Sequence, residues 1–275
     1  MLKYRIYFYI LAILLLLWGG ISVNLLGLNL GIDLKGGEMI EIQTNLKNLE
    51  NIFDKSKFKI RETQNSIIIK APNLDENYII SKIKQFDPNA KIIRKEEVSS
   101  VFSGELAKKS YLAIIFVLMG IGTYITIVFW GKKRLIPGYL FGLVTILTLF
   151  HDVIGSLGLY TLFSHFFNYD LDISIIIAFL VVAGFSVHDT IVVFDRIREN
   201  LMKEGKLNQE IFEKSIKETL TRSINTSLST ILSILPLLFL IEFLRPFLLT
   251  LMVGIIIGTY SSICLAAPLL YDLSK

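Results

Sequence analysis

His188 and Asp189 interrupt an apolar run, and a dense charged cluster from Asp195 to Glu199 closes it. The whole stretch, Ala183 to Asn200, reads AGFSVHDTIVVFDRIREN. A carboxylate inside a membrane-spanning helix costs roughly 2.5–3.5 kcal/mol on insertion scales, so such groups line proton or ion paths or pair with a partner helix. His151-Asp152 repeats the dipeptide in the preceding apolar run, which puts two acid–imidazole pairs on neighbouring helices. Arg222 then opens a run carrying Ser223, Asn225, Thr226, Ser227, Ser229, Thr230 and Ser233. A membrane helix with so many hydroxyls and an Asn has to pack on polar neighbours or line water.

The chemistry these residue types offer is reversible protonation. A carrier carboxylate must pass between its neutral and ionised forms, and burial and a nearby guanidinium act on those forms in opposite senses. Moving Arg222 towards or away from Asp189 would therefore gate proton uptake. His188 is a candidate second relay, with a plain packing role as its alternative. Asp189 lies about four to five residues, roughly 6–9 Å, inside the cytoplasmic end of its span, and Asp152 sits nearer the middle of its own. The membrane potential supplies about 2.3 kcal/mol per charge per 100 mV. An Asp189–Arg222 pair that only fixes helix order is the structural alternative. Carboxylates and hydroxyls suit sodium as well as protons, and both stay open. An aspartyl-protease dyad on adjacent helices is a poor fit, because Phe185-Ser186-Val187-His188-Asp189 lacks the Gly-x-Gly-Asp pattern of such enzymes. No enzyme, metal site or cofactor is expected. Gly131-Lys132-Lys133 lacks the spacing of a phosphate-binding loop, and Gly36-Gly37 does not open a dinucleotide-binding helix.

These residues must be held by the apolar runs around them. The chain has 275 residues, 53% of them hydrophobic, and repeated runs of membrane-spanning length exclude an ordinary soluble fold. Six spans are predicted, at 7–28, 111–130, 136–163, 173–194, 223–241 and 246–270. Lys3 and Arg5, Lys132–Arg134, and the seven Lys or Arg residues in the loop from Asp195 to Arg222 inclusive place those segments in the cytoplasm, so both termini are expected there. The basic residues flank spans, which makes the net charge of +4 a topology signal and no sign of nucleic acid. The first span has no Ala-x-Ala site and reads as an uncleaved anchor. Cys264, the single cysteine, reads as packing. The spacings Gly138-x-x-x-Gly142 and Gly254-x-x-x-Gly258 predict close helix contacts.

The expected fold class is thus a polytopic α-helical membrane protein: a first helix at 1–28, an extracytoplasmic α+β domain at 29–109, and a five-helix domain at 110–275 with a cytoplasmic loop at 195–222. In the external block Glu38–Thr44, Lys57–Glu62, Ser66–Lys70 and Ala90–Lys95 read as strands, and Gln64-Asn65 as a turn. Leu46–Lys55 and Asp75–Phe86 read as helices. The order βαββαβ is the ferredoxin-like arrangement.

The segment Asp189-Thr-Ile-Val-Val-Phe-Asp-Arg-Ile-Arg-Glu-Asn200 resembles the fourth span of the SecF protein-export membrane proteins, members of the SecD/SecF family within the RND superfamily. Gly31-Ile-Asp33-Leu-Lys-Gly36-Gly37 matches that family's Gly-x-Asp-x-x-Gly-Gly signature after the first span. His151-Asp152 and Arg222-Ser-Ile-Asn-Thr-Ser227 fit its third and fifth spans. Leu34 stands where the family commonly has Phe, and His188 where Asn is usual. The resemblance implies an accessory subunit of the Sec translocase in the bacterial inner membrane. Its partners would be SecD, the SecYEG channel, YajC, a translocating preprotein and membrane lipid. It would use the proton-motive force to complete translocation, with no cofactor beyond the ion gradient. Asp189 would be the proton-carrying carboxylate, Arg222 its switching partner and Asp152 a supporting polar group. Gly31, Asp33, Gly36, Gly37, Asp195, Arg196 and Arg198 would be structural motif positions. A non-conducting scaffold and a small RND-type exporter are the alternatives.

Overall fold

The computed structural model describes residues 2–44, 46, 53, 58–63, 66–131 and 135–275. In chain order the helices are α1 (Arg5–Leu26), α2 (Ile32–Lys35), α3 (Glu76–Lys84), α4 (Ser100–Val128), α5 (Gly138–Phe167), α6 (Ile173–Glu204), α7 (Gln209–Leu240), α8 (Arg245–Ser261) and α9 (Ala267–Leu273). A π-helical segment, Ser262–Ala266, joins the last two. The strands are β1 (Gly37–Gln43), β2 (Lys59–Glu62), β3 (Ser66–Ala71) and β4 (Lys91–Val98). Among the described residues six helical stretches are long and apolar enough to cross a membrane.

Hydropathy marks the apolar part of each helix, and backbone hydrogen bonding carries the helices further. α4 starts at Ser100, well ahead of the expected 111. The expected cytoplasmic loop is mostly helix, because α6 runs on to Glu204 and α7 starts at Gln209. Only residues 205–208 turn the chain. Gly205 takes a left-handed φ of +67°, and Asn208 caps α7 by accepting from Glu210 N at 3.3 Å. The charged cluster at Asp195–Glu199 therefore lies inside α6 and does not end it. Between the spans expected at 223–241 and 246–270 lies a single 3-10 turn, Glu242–Leu244, leading into α8.

The chain divides into two compact units, residues 1–28 with 112–169 and 174–275, and residues 29–111 with 170–173. The external unit thus gains four residues from the connection before α6, beyond the expected 29–109.

In the helical unit α5, α6 and α8 bury much of their surface, while α1, α4 and α7 leave Ile6, Leu14, Phe116, Tyr124, Leu232 and Phe239 exposed, as lipid-facing helices do. Glycines set the close approaches. A Cβ on Gly158 of α5 would lie 2.7 Å from Gly19 Cα of α1, and one on Gly258 of α8 would lie 2.8 Å from Ser186 Cβ of α6. Gly254 likewise meets Val182, and Gly138 and Gly142 meet Phe129 and Thr126 of α4. Phe129, Phe141 and Phe194 form one aromatic cluster. Arg5 Nε pairs with Asp272 at 2.9 Å, which holds the two ends of the chain at the same end of the helices.

The external unit is an antiparallel sheet in the order β2-β3-β1-β4. This is the strand order of the split βαβ arrangement. Ile40, Ile42, Ile67 and Ile69 of the sheet close on Ile79 and Ile83 of α3, which Asp75 caps by accepting from Tyr78 N at 3.1 Å. The helix expected at Leu46–Lys55, the start of the strand expected at Lys57 and the turn at Gln64-Asn65 fall on residues outside those described, apart from Leu46 and Phe53.

Gly258→Ala is expected to lower the thermal unfolding midpoint of the detergent-solubilised protein, by about 1–3 kcal/mol of overpacking. Gly184→Ala, where an added Cβ meets nothing within 4 Å, is the matched control and is expected to leave the midpoint unchanged or raised.

Candidate proton-coupling site

Two carboxylates are buried among the helices, and hydroxyls supply most of their partners. Asp152 on α5 is wholly buried. Its Oδ2 accepts from Ser186 Oγ of α6 and, at 2.8 Å, from Ser261 Oγ of α8. Its Oδ1 lies 2.9 Å from His151 Nδ1. Asp189 on α6 is 2% exposed and accepts a long hydrogen bond, 3.5 Å, from Thr259 Oγ1 of α8. Thr259 also shares a hydrogen bond with Ser227 of α7. Between the two carboxylates, Ser262 Oγ is within reach of Ser186 O (3.1 Å) and of Thr190 Oγ1 (2.9 Å).

The local structure explains how one helix serves both acids. Thr259 and Ser261 lie two residues apart near the end of α8, where the glycine contacts at 254 and 258 bring it against α6. The π-helical segment begins at Ser262 and directs the next hydroxyl to Ser186 and Thr190; such segments recur at functional positions in helices.

The two other expected partners of Asp189, His188 and Arg222, act on it through their charge but form no ion pair with it among the described residues. His188 is exposed, because neighbouring helical residues point about 100° apart and Asp189 takes the inward direction. Arg222 is exposed for the same reason: the next residue, Ser223, is buried. Among the described residues no ion pair joins Arg222 to Asp189. The polar stripe of α7 divides as well. Ser223 and Ser227 face inward, whereas Thr226, Thr230 and Ser233 donate to carbonyls of their own helix at 2.9 Å and so lose their need for a polar neighbour. Asn225 stays exposed beside Arg222.

The charged cluster binds α6 to α7. Arg196 donates to Glu218 (2.6 Å) and Glu199 (2.6 Å), and Asn200 donates to Ser215 (2.9 Å) and Glu218 (2.9 Å). Lys203 and Arg196 hold the Glu199 carboxyl below the usual carboxylate range, and Arg196 and Asn200 do the same for Glu218. Asp195 pairs with Arg198, whose guanidinium lies over the Phe129 ring at 5.4 Å.

The glycine signature sits in the external unit. Gly31 is where residues 171–172 come close, Asp33 accepts from Ile173 N at 3.4 Å, and a Cβ on Gly36 would lie 2.9 Å from Ser100 Cα. Gly36 (φ +83°) and Gly37 (φ +127°) both hold backbone conformations that side chains disfavour. Among the described residues no group of three or more His, Cys, Asp or Glu is placed to hold a metal ion.

A family model for the protein export membrane protein SecD/SecF, C-terminal, matches residues 78–275. The chain belongs to the SecD/SecF family. Among its curated relatives are the proteins named protein translocase subunit SecF of Calditerrivibrio nitroreducens and Sebaldella termitidis. The first is 36% identical, covering 98% of this chain and 91% of that protein. The second is 34% identical, covering 100% and 92%. The crystal structure of SecDF, a translocon-associated membrane protein from Thermus thermophilus, matches 99% of this chain with a TM-score of 0.84 at 29% identity. This chain spans 38% of that SecDF chain. A SecDF structure in a super-membrane-facing form matches with a TM-score of 0.73. Membership in the SecD/SecF family accounts for the six spans and the small external sheet together, and makes this a membrane protein of protein export.

Ser186, Thr190, Thr259, Ser261 and Ser262 were not among the expected site residues. The last three had a signal in the hydroxyls of the last span, which interrupt an apolar run much as those of the fifth do.

Asp152→Ala strips the partner from two buried hydroxyls and an imidazole. It is expected to cost about 3–5 kcal/mol, read as loss of the folded monomer peak in detergent. Arg196→Gln is expected to raise amide exchange over residues 209–218. Because Glu199 and Glu218 titrate below their ordinary range, their contribution is complete at neutral pH. It is lost as pH falls through their lowered folded-state values, so exchange in wild type is expected to approach that of the variant in acid.

Proposed function

We propose that this chain acts as the SecF subunit of a Sec protein translocase and, with SecD, uses the proton-motive force to complete preprotein translocation. The observation that carries this reading is Asp189, buried in a membrane helix with a hydroxyl at hydrogen-bonding range and, among the described residues, no cation in an ion pair with it, His188 and Arg222 acting through their charge alone. A carboxylate in that position is tolerated when a proton or a counter-charge neutralises it, which is the requirement for a group that loads and unloads an ion across a membrane. Thr259 and Ser227 tie its neutralisation to α8 and α7, so a change of charge at Asp189 alters the contacts of three helices. Asp152, saturated with donors, anchors the same helices. Arg222 acts from the exposed side of α7, at longer range than an ion pair.

The SecD partnership is supported by that same exposed side. Arg222 and Asn225 cannot face hydrocarbon cheaply, and a second set of membrane helices would cover them. The basic residues around the first span and the α6–α7 hairpin favour a bacterial inner-membrane protein with cytoplasmic termini. SecYEG and YajC are the further partners of this reading.

The test is preprotein translocation into inner-membrane vesicles carrying this chain and SecD, under an imposed proton gradient. Asp189→Asn at equal expression and assembly is expected to reduce the gradient-dependent late stage to its level without a gradient. A mutant that responds like wild type would leave a scaffold. Restoration of the wild-type response by a sodium gradient alone would make sodium the coupling ion.

A further inference from the structure

Lys59 and Lys70 stand directly opposite each other on β2 and β3, with β2 at the edge of the sheet. Like charges in that register repel and weaken a strand pair. One carboxylate answers both: Asp170, from the connection before α6, pairs with Lys59 and, at 2.7 Å, with Lys70. Its side chain is 9% exposed. The next residues continue the attachment. Leu171 forms a parallel bridge with Leu30, donating its N–H to Asn29 O at 2.6 Å and accepting from Gly31 N at 2.8 Å. Gly31 leaves only 3.1 Å between an added Cβ and Asp172 Cβ. Ile173 N then donates to Asp33, and from Ile173 the chain runs straight into α6. Four consecutive residues are thus incorporated in the external unit by charge, backbone pairing and a helix cap.

We propose that residues 170–173 form a fixed coupling clip, in which the Lys59–Lys70 pair positions Asp170 and so joins the start of α6 to the external sheet during export. The proposal rests on the reading of Asp189 as the coupling carboxylate. Asp189 lies 16 residues further along the same helix, about 24 Å at 1.5 Å per residue, so a shift of α6 driven there reaches the clip through a continuous helix. Asp170 is a positioning residue: it acts through the start of α6. The two opposed lysines make sense only with the third charge present, which is why complementarity, and not the identity of any one side chain, is what the clip requires.

The experiment compares wild type, Asp170→Lys, and the charge-swapped triple variant Asp170→Lys, Lys59→Asp, Lys70→Asp, each as the full chain with SecD in inner-membrane vesicles. Amide exchange over residues 29–33 and 171–174 reads the attachment, and gradient-dependent translocation reads its use. Asp170→Lys is expected to raise that exchange and to lower the gradient-dependent stage, each by about tenfold, as loss of a desolvated charge pair does. The triple variant is expected to restore both. Unchanged exchange in Asp170→Lys, raised exchange with normal translocation, or restored exchange without restored translocation would each overturn the clip. The exchange arm is independent of the coupling site. A failure of Asp189→Asn to affect translocation therefore removes the proposed function without touching the attachment.

Discussion

Charge inside a membrane domain has to be matched there, and the arrangement of these helices follows from how two carboxylates are matched. Asp152 and Asp189 lie on different helices, yet both draw hydrogen-bond donors from one turn of α8, through Ser261 and Thr259. Those donors reach them only because Gly254 and Gly258 let α8 approach α6 closely, since bulkier residues would meet Val182 and Ser186. Small residues, hydroxyls and acids are therefore one device. Removing a glycine should act on the polar network, and removing an acid should act on the packing.

The two carboxylates are matched unequally, and the difference separates their roles. Asp152 has two hydroxyl donors, the His151 imidazole beside it and no exposure, which suits a fixed anchor. Asp189 has comparable burial and looser contacts, a long one from Thr259 with Ser223 beside it, and under the proposed reading it is the group whose charge changes. The charged hairpin and the external unit extend this frame at the two ends of α6. Arg196, Asn200 and Glu218 bind its far end to α7, and residues 170–173 bind its beginning to the sheet.

Much of this was legible in the residues. Hydropathy located every membrane helix, because lipid demands long uninterrupted apolar runs, and alternation located the strands. Helix ends were less legible. Hydropathy stops at Asp195, whereas α6 continues on ion pairs that appear only when α7 lies beside it. Asp152 and Asp189 stood out as isolated charges in apolar runs. Their partners did not, because a serine in a membrane helix has the same appearance whether it donates to its own carbonyl, as Ser233 does, or to a carboxylate on another helix, as Ser261 does. Arg222 carries the same ambiguity: only the rotation of α7 shows that Ser223 takes the inward position while Arg222 acts on Asp189 through its charge from the exposed side. Asp170 lies 100 and 111 residues from its two lysines and could not be matched to them without the fold.

The most direct test of the account is infrared difference spectroscopy of the reconstituted protein as pH is changed, comparing wild type, Asp189→Asn and Asp152→Asn. A reversible protonated-carboxyl band that Asp189→Asn removes and Asp152→Asn retains is the result expected of one exchangeable and one fixed carboxylate. Identical difference spectra for wild type and Asp189→Asn would contradict it, and with it the claim that Asp189 carries the ion.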